Sequence, residues 1–366
     1  MVEVTTTPWL KLPPGFDGHS YKRMAEHPIA SRETVAGHHY QRILPSLMVW
    51  AFCKVTELTV PMGFIILSRI CFLFLGLQVF LILLSRLQDP FFAAVLSFLL
   101  LFQSWPLTYN IINVWQLTDL LTFIFALLLA WAVYEKNFGL FFVCSVLAIF
   151  TRQNLMVLAA MGCLYFIIDA LQRRDRPAQI GRILLGVLVL TAMVAFSFLV
   201  VVKDKGAGAV YHLFAFEFGG VGLKAIGVPF FLLSPFLFVL AFHIKKVAAL
   251  AIRLWPVTIF ASVTIFQPYS FWLPTGIDNA MRIMAPGIFL LCLPLAVMAG
   301  RDFDRVLPGK WGWVIMGTLP FAYGTSHLFS TGIVWRPLFL LPSGFRFLVN
   351  IVLVVPRIFK GAYRKR

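Results

Sequence analysis

Residues 62–84 run for 23 positions with a single charge, Arg69, and this is one of several such runs along the chain. An apolar stretch of about 20 residues is long enough to cross a roughly 30 Å hydrocarbon core as a helix. No other feature restricts the possible folds as strongly. The composition agrees: 60% of the 366 residues are apolar, 13% are charged, and mean hydropathy is +0.88. Soluble domains run near 45–50% apolar and about 25% charged, and surface-to-volume scaling prevents a globule of this length from hiding so much apolar surface. A soluble enzyme, a disordered chain and a disulfide scaffold are excluded. The sequence predicts an all-α, polytopic transmembrane helical bundle.

The runs place spans at 62–84, 91–108, 113–134, 138–151 with 154–170, 182–202, 226–243, 254–270, 282–299, 311–329 and 337–357, about 10–11 in all. The apolar stretch 138–170 is too long for one straight span and is broken by Thr151-Arg152-Gln153-Asn154, so two helices are expected to meet at a membrane surface there. Residues 1–43 form a polar head with no apolar core of a signal peptide. Residues 44–60 carry Lys54 and Glu57 and read as an interfacial or half-buried helix. The expected organisation is a head over 1–43, a bundle over 44–357 and a basic tail over 358–366.

Net charge is +16, but the basic residues lie in short segments between apolar runs, which is a topogenic pattern and not a nucleic-acid surface. Alternating sides along the spans gives one side 17 Lys and Arg, including Arg86, Arg173, Lys245, Arg301 and the tail, and the head side 11. The positive-inside rule then puts the head outside the cytoplasm and the C-terminus inside. An outer head needs a translocation signal. Either it crosses behind the first helix, or a segment precedes Met1; the second is the expectation.

The five cysteines form no CxxC pair, and Cys71, Cys144, Cys163 and Cys292 lie in apolar runs as small buried hydrophobes. His38 and His39 are adjacent, so their side chains diverge, and no further ligand stands at metal spacing. No cofactor is indicated, although a divalent metal stays open. Walker, GxSxG, HExxH and Rossmann patterns are lacking where they would work.

Polar residues concentrate at the head-side ends of the spans. The head holds Asp17-Gly18-His19-Ser20-Tyr21 and Tyr40-Gln41-Arg42-Ile43-Leu44-Pro45; Thr118-Asp119 opens one span, Thr151-Arg152 lies at the break, and Tyr269, Asp278, Asn279 and Arg282 share a later loop. Ionisable groups at membrane depth are costly and point to function. Asp119 and Arg152 fall at the ends of adjacent spans on one side, where they can pair.

The stretch from Asp17 to Pro45 resembles the first outer loop of GT-C membrane glycosyltransferases, which carries Asp-Gly-x-x-Tyr and then Tyr-x-Arg-x-x-x-Pro leading into a helix. Thr118-Asp119 and Thr151-Arg152 are also similar to that superfamily, so the resemblance covers roughly residues 15–170. It is nearest to the protein-mannosyltransferase and aminoarabinose-transferase types. The resemblance implies a GT-C-like bundle in a bacterial inner (plasma) membrane, a polyprenyl-phosphate-linked sugar donor, an extracytoplasmic glycan or lipid acceptor, and Asp17 as the catalytic carboxylate. The family places a transmembrane helix before that loop.

The residue types suit this chemistry independently. An acceptor hydroxyl loses its proton as it attacks the anomeric carbon, so a nearby carboxylate, Asp17, serves as general base. Gly18 beside it allows a tight turn and close approach of a substrate. The leaving group is a phosphate, which arginine holds through bidentate charge-assisted bonds; Arg152 and Arg282 are the candidates. Tyr21, Arg42 and Asp119 complete the expected substrate-binding set. Plainer readings stand beside these: Asp17 as a solvated loop carboxylate, Arg42 and Arg152 as headgroup anchors, Asp119 as a helix-start charge. The rival functions are a transporter or lipid flippase, and a non-catalytic membrane subunit. A transporter needs polar residues through the depth of the bundle, where Arg69 is the main exception to the one-sided pattern. The basic C-terminal tail is expected to touch anionic membrane lipid.

Overall fold

A computed structural model describes residues 17–35, 37–103, 107, 114–173, 177–205, 229, 233, 236–269 and 277–304. Among these residues the chain is almost entirely helical, with no strand. It divides into two compact units: Met1–Phe72 with Tyr109–His212, and Leu73–Thr108 with Leu213–Arg366. The expected spans at 311–329 and 337–357, the tail and most of 226–235 lie outside the described residues.

The first unit opens with the head helices α1 (Gly18–Glu26) and α2 (Gly37–Tyr40), continues with α3 (Ile43–Thr56), and takes in the first half of α4 (Val60–Leu87). It continues with α6 (Leu117–Tyr134), α7 (Phe138–Ile149), α8 (Leu155–Arg173) and α9 (Pro177–Lys205). The helix α1 buries Gly18, Tyr21, Met24 and Ala25 along one face, the spacing of an amphipathic helix lying on a larger body. Asp17 therefore starts a helix: its backbone is already right-handed (φ −67°, ψ −17°) and the tight turn expected at Gly18 is replaced by the first helical turn. The interfacial helix expected at 44–60 stops at Thr56, where Glu57 takes a left-handed conformation (φ 58°).

Helix α6 is the centre of this unit. Nearly every side chain from Leu117 to Leu127 is buried, and α7 and α8 pack against it. Asn137 caps α7 by accepting a hydrogen bond from Leu140 N at 3.0 Å. At the far end of α7 and α8, Asp169 bridges Lys136 and Arg173. In contrast, α9 exposes Leu184, Leu185, Leu188 and Phe196. A helix this apolar and this exposed belongs against lipid, where its backbone is satisfied within the helix.

The second unit holds the rest of α4, α5 (Pro90–Gln103), α10 (Leu237–Arg253), α11 (Trp255–Phe266) and α12 (Ile277–Asp304). The α11–α12 contact is close: a Cβ on Gly287 would lie 2.8 Å from Ala261 Cα. The basic loop expected at 244–253 is instead helix. It runs through Lys245 and Lys246 to Arg253, with a non-helical residue at His243, and the chain then bends by 104° into α11. Pro256 in the first turn of α11 explains the bend, since its ring does not allow the preceding helix to continue.

Five stretches are long and apolar enough to cross a membrane: Val60–Leu87, Val114–Tyr134, Leu155–Arg173, Gln179–Ser197 and Arg282–Arg301. The bent pair makes up to 6 if it is one span, and α3, α5 and α7 are shorter apolar helices. These are counts among the described residues. The chain is a multi-pass, all-α membrane protein.

Candidate functional site

The polar break between α7 and α8 organises one end of the first unit. Phe150 ends α7, and its carbonyl accepts a hydrogen bond from Leu44 N at 3.1 Å, which seats the start of α3 on the break. Thr151, Arg152 and Asn154 are buried there. Arg152 Nη1 donates to Asp119 Oδ1 in the first turn of α6, forming the ion pair expected from the sequence. Both partners are almost fully buried. The Asp119 carboxylate also lies near the α6 N-terminus, where the helix dipole favours negative charge.

The head folds over this pair. Arg42 precedes α3 and donates from Nε to Gln153 Oε1 at 3.0 Å and from Nη1 to the Tyr21 hydroxyl oxygen at 3.3 Å. The same Nη1 stands 3.8 Å from Asp17 Oδ2, while His39 Nε2 stands 3.8 Å from Asp17 Oδ1. These are ion-pair distances without direct hydrogen bonds. Asp17 is thus flanked by the Arg42 guanidinium and the His39 imidazole, and its side chain is 26% exposed, so solvent or a ligand can reach it. Tyr21 is buried, and its ring meets His39 edge-on at 6.0 Å. Its backbone carbonyl accepts from Ser46 Oγ at 3.1 Å, which ties α1 to α3.

A second polar line runs from the break to α9. Gln153 Nε2 donates to Gln41 Oε1 at 2.6 Å, and Gln41 Nε2 donates to the Ser197 carbonyl at 2.5 Å. Two further groups beside the ion pair in sequence stand out. The Asn154 amide and the Thr118 hydroxyl are buried without a hydrogen-bond partner. An unsatisfied buried polar group costs about 1–3 kcal/mol, so these positions suit a bound water or a ligand hydroxyl.

The structure therefore brings Asp17, Tyr21 and Arg42 into one contact cluster, and Gln153 joins that cluster to the Asp119–Arg152 pair. Arg282 lies in the second turn of the long α12 in the second unit, where it is half-buried. The side chains of His38, Tyr269, Asp278 and Asn279 lie outside the described residues. Arg69, the charge expected within the bundle, is exposed on α4. Among the described residues no group of three or more His, Cys, Asp and Glu is placed to hold a metal ion. Sequence reasoning missed His39 as a neighbour of Asp17 and missed the Gln41–Gln153–Ser197 line. The only signal available for either was the density of polar residues at 38–42.

Compared with family models, with curated proteins and with solved structures, the chain matches none.

Proposed function

We propose that this chain is an integral-membrane glycosyltransferase of GT-C type, moving a sugar from a polyprenyl-phosphate donor to an extracytoplasmic acceptor. The observation that carries the reading is the partly exposed Asp17 carboxylate, 3.8 Å from both His39 and Arg42, at the same end of the first unit as the buried Asp119–Arg152 pair. A membrane-surface transfer needs these parts. Asp17 takes the acceptor proton as the oxygen attacks the anomeric carbon. His39 lies beside the carboxylate, and the exposed side of Asp17 itself gives the proton a route to solvent. Arg42, the more exposed of the two arginines, supplies a cationic donor for the phosphate that leaves, and Arg152, paired with Asp119, holds the polar break on which Arg42 rests. The unpartnered Asn154 amide and Thr118 hydroxyl suit sugar hydroxyls. The exposed position of Arg69 on α4 weighs against a transporter, which needs charge through the bundle's depth. The setting is a bacterial plasma membrane with the head outside the cytoplasm.

A second reading is favoured by Arg42, which also clamps the head to the break through Tyr21 and Gln153. In a non-catalytic subunit the same ions would serve only to seat the head. The two are separated by Asp17→Asn, assayed by transfer of labelled sugar from a polyprenyl-phosphate donor in membranes with equal protein level. The enzyme reading expects transfer to fall by about 10²–10⁴-fold, the usual worth of a general base, with the protein still inserted and monodisperse. Transfer at the wild-type rate ends the assignment of Asp17 as base, and loss of transfer only in step with loss of folded protein supports the subunit.

A further inference from the structure

The second unit carries a cleft that the proposed reaction does not use. Its volume is about 370 Å³, and Arg86, Gln88, Asp89, Phe92, Gly300 and Arg301 are among its lining residues. We infer that this cleft binds a phosphate ester at the membrane surface, as found in the headgroup of an anionic phospholipid.

Three observations lead there. The first is charge. Arg301 sits in the last turn of α12 and Arg86 in the last turn of α4, and Arg301 Nη2 donates to the Arg86 carbonyl at 3.2 Å. That bond fixes one edge of the Arg301 guanidinium. A guanidinium has five N–H donors in a planar fork, so the others can serve a ligand in the cleft. Asp89, the one acid among the described lining residues, is already committed: its Oδ1 accepts from Phe91 N at 2.9 Å and Phe92 N at 3.0 Å, capping α5. Among the described lining residues, Arg301 thus brings guanidinium donors to the cleft while the carboxylate is turned to its helix cap, which suits an anion.

The second observation is position. Arg86 ends the span Val60–Leu87 and Arg301 ends the span Arg282–Arg301. The ends of two spans lie where phosphates of the bilayer lie. Leu77 and Leu81 on α4, and Phe91 and Phe98 on α5, are exposed apolar side chains of the same two helices that flank the cleft. They give acyl chains a surface next to the headgroup. The basic-residue count assigns this end to the cytoplasmic leaflet, where anionic lipid concentrates.

The third observation is shape. Gln88 holds a left-handed conformation (φ 58°) between α4 and α5. This turn lets Asp89 cap α5 while α4 ends one residue earlier, and it opens the concavity between the helix ends. The buried Gly300 keeps the facing wall low: a Cβ there would come within 2.8 Å of Leu87. The volume falls in the range of ligand clefts and exceeds what a single ion fills, as a phosphoglycerol headgroup requires.

The test uses the full chain, purified in detergent and stripped of lipid. Phosphatidylglycerol, phosphatidylcholine, glycerol phosphate and inorganic phosphate are titrated separately. Binding is followed by the rise in Tm and by lipid adducts in native mass spectrometry. Wild-type protein should respond to phosphatidylglycerol and only weakly to phosphatidylcholine. The Arg86→Gln/Arg301→Gln pair should bind it about tenfold or more weakly, since two charge-assisted contacts are lost. An Arg86→Lys/Arg301→Lys pair should fall between, because Lys keeps the charge and loses the fork. That pair carries the test if the glutamine pair fails to fold. An equal response to glycerol phosphate or inorganic phosphate supports the phosphate site and assigns it to a soluble ester instead of a lipid. The inference is overturned if no phosphate compound shifts Tm. It is equally overturned if well-folded arginine variants bind phosphatidylglycerol as wild type does.

Discussion

The Asp119–Arg152 pair permits a sharp test of why this chain keeps ions in an apolar interior. Asp119 is 2% exposed and Arg152 5%, so each is desolvated almost completely. Replacing Asp119 by Leu leaves the guanidinium buried without its counter-ion, which costs about 3–5 kcal/mol. With about 2 °C of Tm per kcal/mol in a chain of this size, Asp119→Leu should melt about 6–10 °C below wild type. Arg152→Met strands the carboxylate in the same way and should be comparably destabilised. The double variant removes both charges and fills the space with apolar atoms, and such swaps are often neutral or stabilising. It should therefore recover to within about 1–2 kcal/mol of wild type, giving a coupling energy above about 2 kcal/mol in the double-mutant cycle. The assay is the fraction of monodisperse protein after heating, read by fluorescence-detected size exclusion. The reasoning is refuted if either single variant melts with wild type, or if the double variant is no better than the singles. If the double variant is stable but inactive in sugar transfer, the pair is retained for the reaction and not for the fold.

Other perturbations separate packing, charge and topology. Gly287→Ala pushes a Cβ to 2.8 Å from the Ala261 backbone, which cannot rotate away, and should destabilise by about 1–3 kcal/mol; Gly181→Ala meets nothing within 4 Å and should be neutral or stabilising by up to about 1 kcal/mol in the same thermal assay. Asp169→Asn removes the bridge between Lys136 and Arg173, but those cations are well exposed, so the loss should be about 1 kcal/mol or less and should shrink further in high salt. Single cysteines at Ala30 and Gln172, both exposed, should label from opposite faces of sealed vesicles; labelling from one face would overturn the orientation drawn from basic residues.

The helical bundle was legible because apolar runs of span length leave the backbone few options in lipid. The break at Thr151–Asn154 and the Asp119–Arg152 pair were legible for a related reason, since polar residues inside such runs need a partner or a surface. The head was harder. Helix α1 spans nine residues with Gly18 and His19 at its start, too short for periodicity to outweigh loop-like composition. The approach of His39 to Asp17 depends on α2 folding back across 22 positions, and Gln41 finds its acceptor 156 residues away. Beyond the density of polar residues at 38–42, neither leaves a trace in local pattern. In the sequence the stretch around Lys245, Lys246 and Arg253 reads as a loop, because its charges interrupt the apolar pattern; the structure makes it helix. Long aliphatic stems let a continuous helix carry such charges at its surface. Arg86 and Arg301 read only as topogenic charges, and nothing in the sequence places them on one cleft.

The interleaving of the two units has a consequence for how the chain is made. Helix α5 belongs with segments that follow Leu213, and it packs against α12, with Leu96 beside Gly300. About 200 residues separate Gln103 from Asp304, so at about 5–20 residues per second a ribosome delivers α12 on the order of 10–40 s after α5. During that interval Leu96, Leu99 and Leu100, buried in the finished protein, face lipid or whatever insertion factor holds them. The segment 109–212 meanwhile emerges and completes the first unit with the head already in hand. A chain interrupted after His212 can thus assemble the Asp17 cluster while α5 is still without its partner helix. The nascent protein acquires its candidate catalytic end well before the half that carries the phosphate cleft.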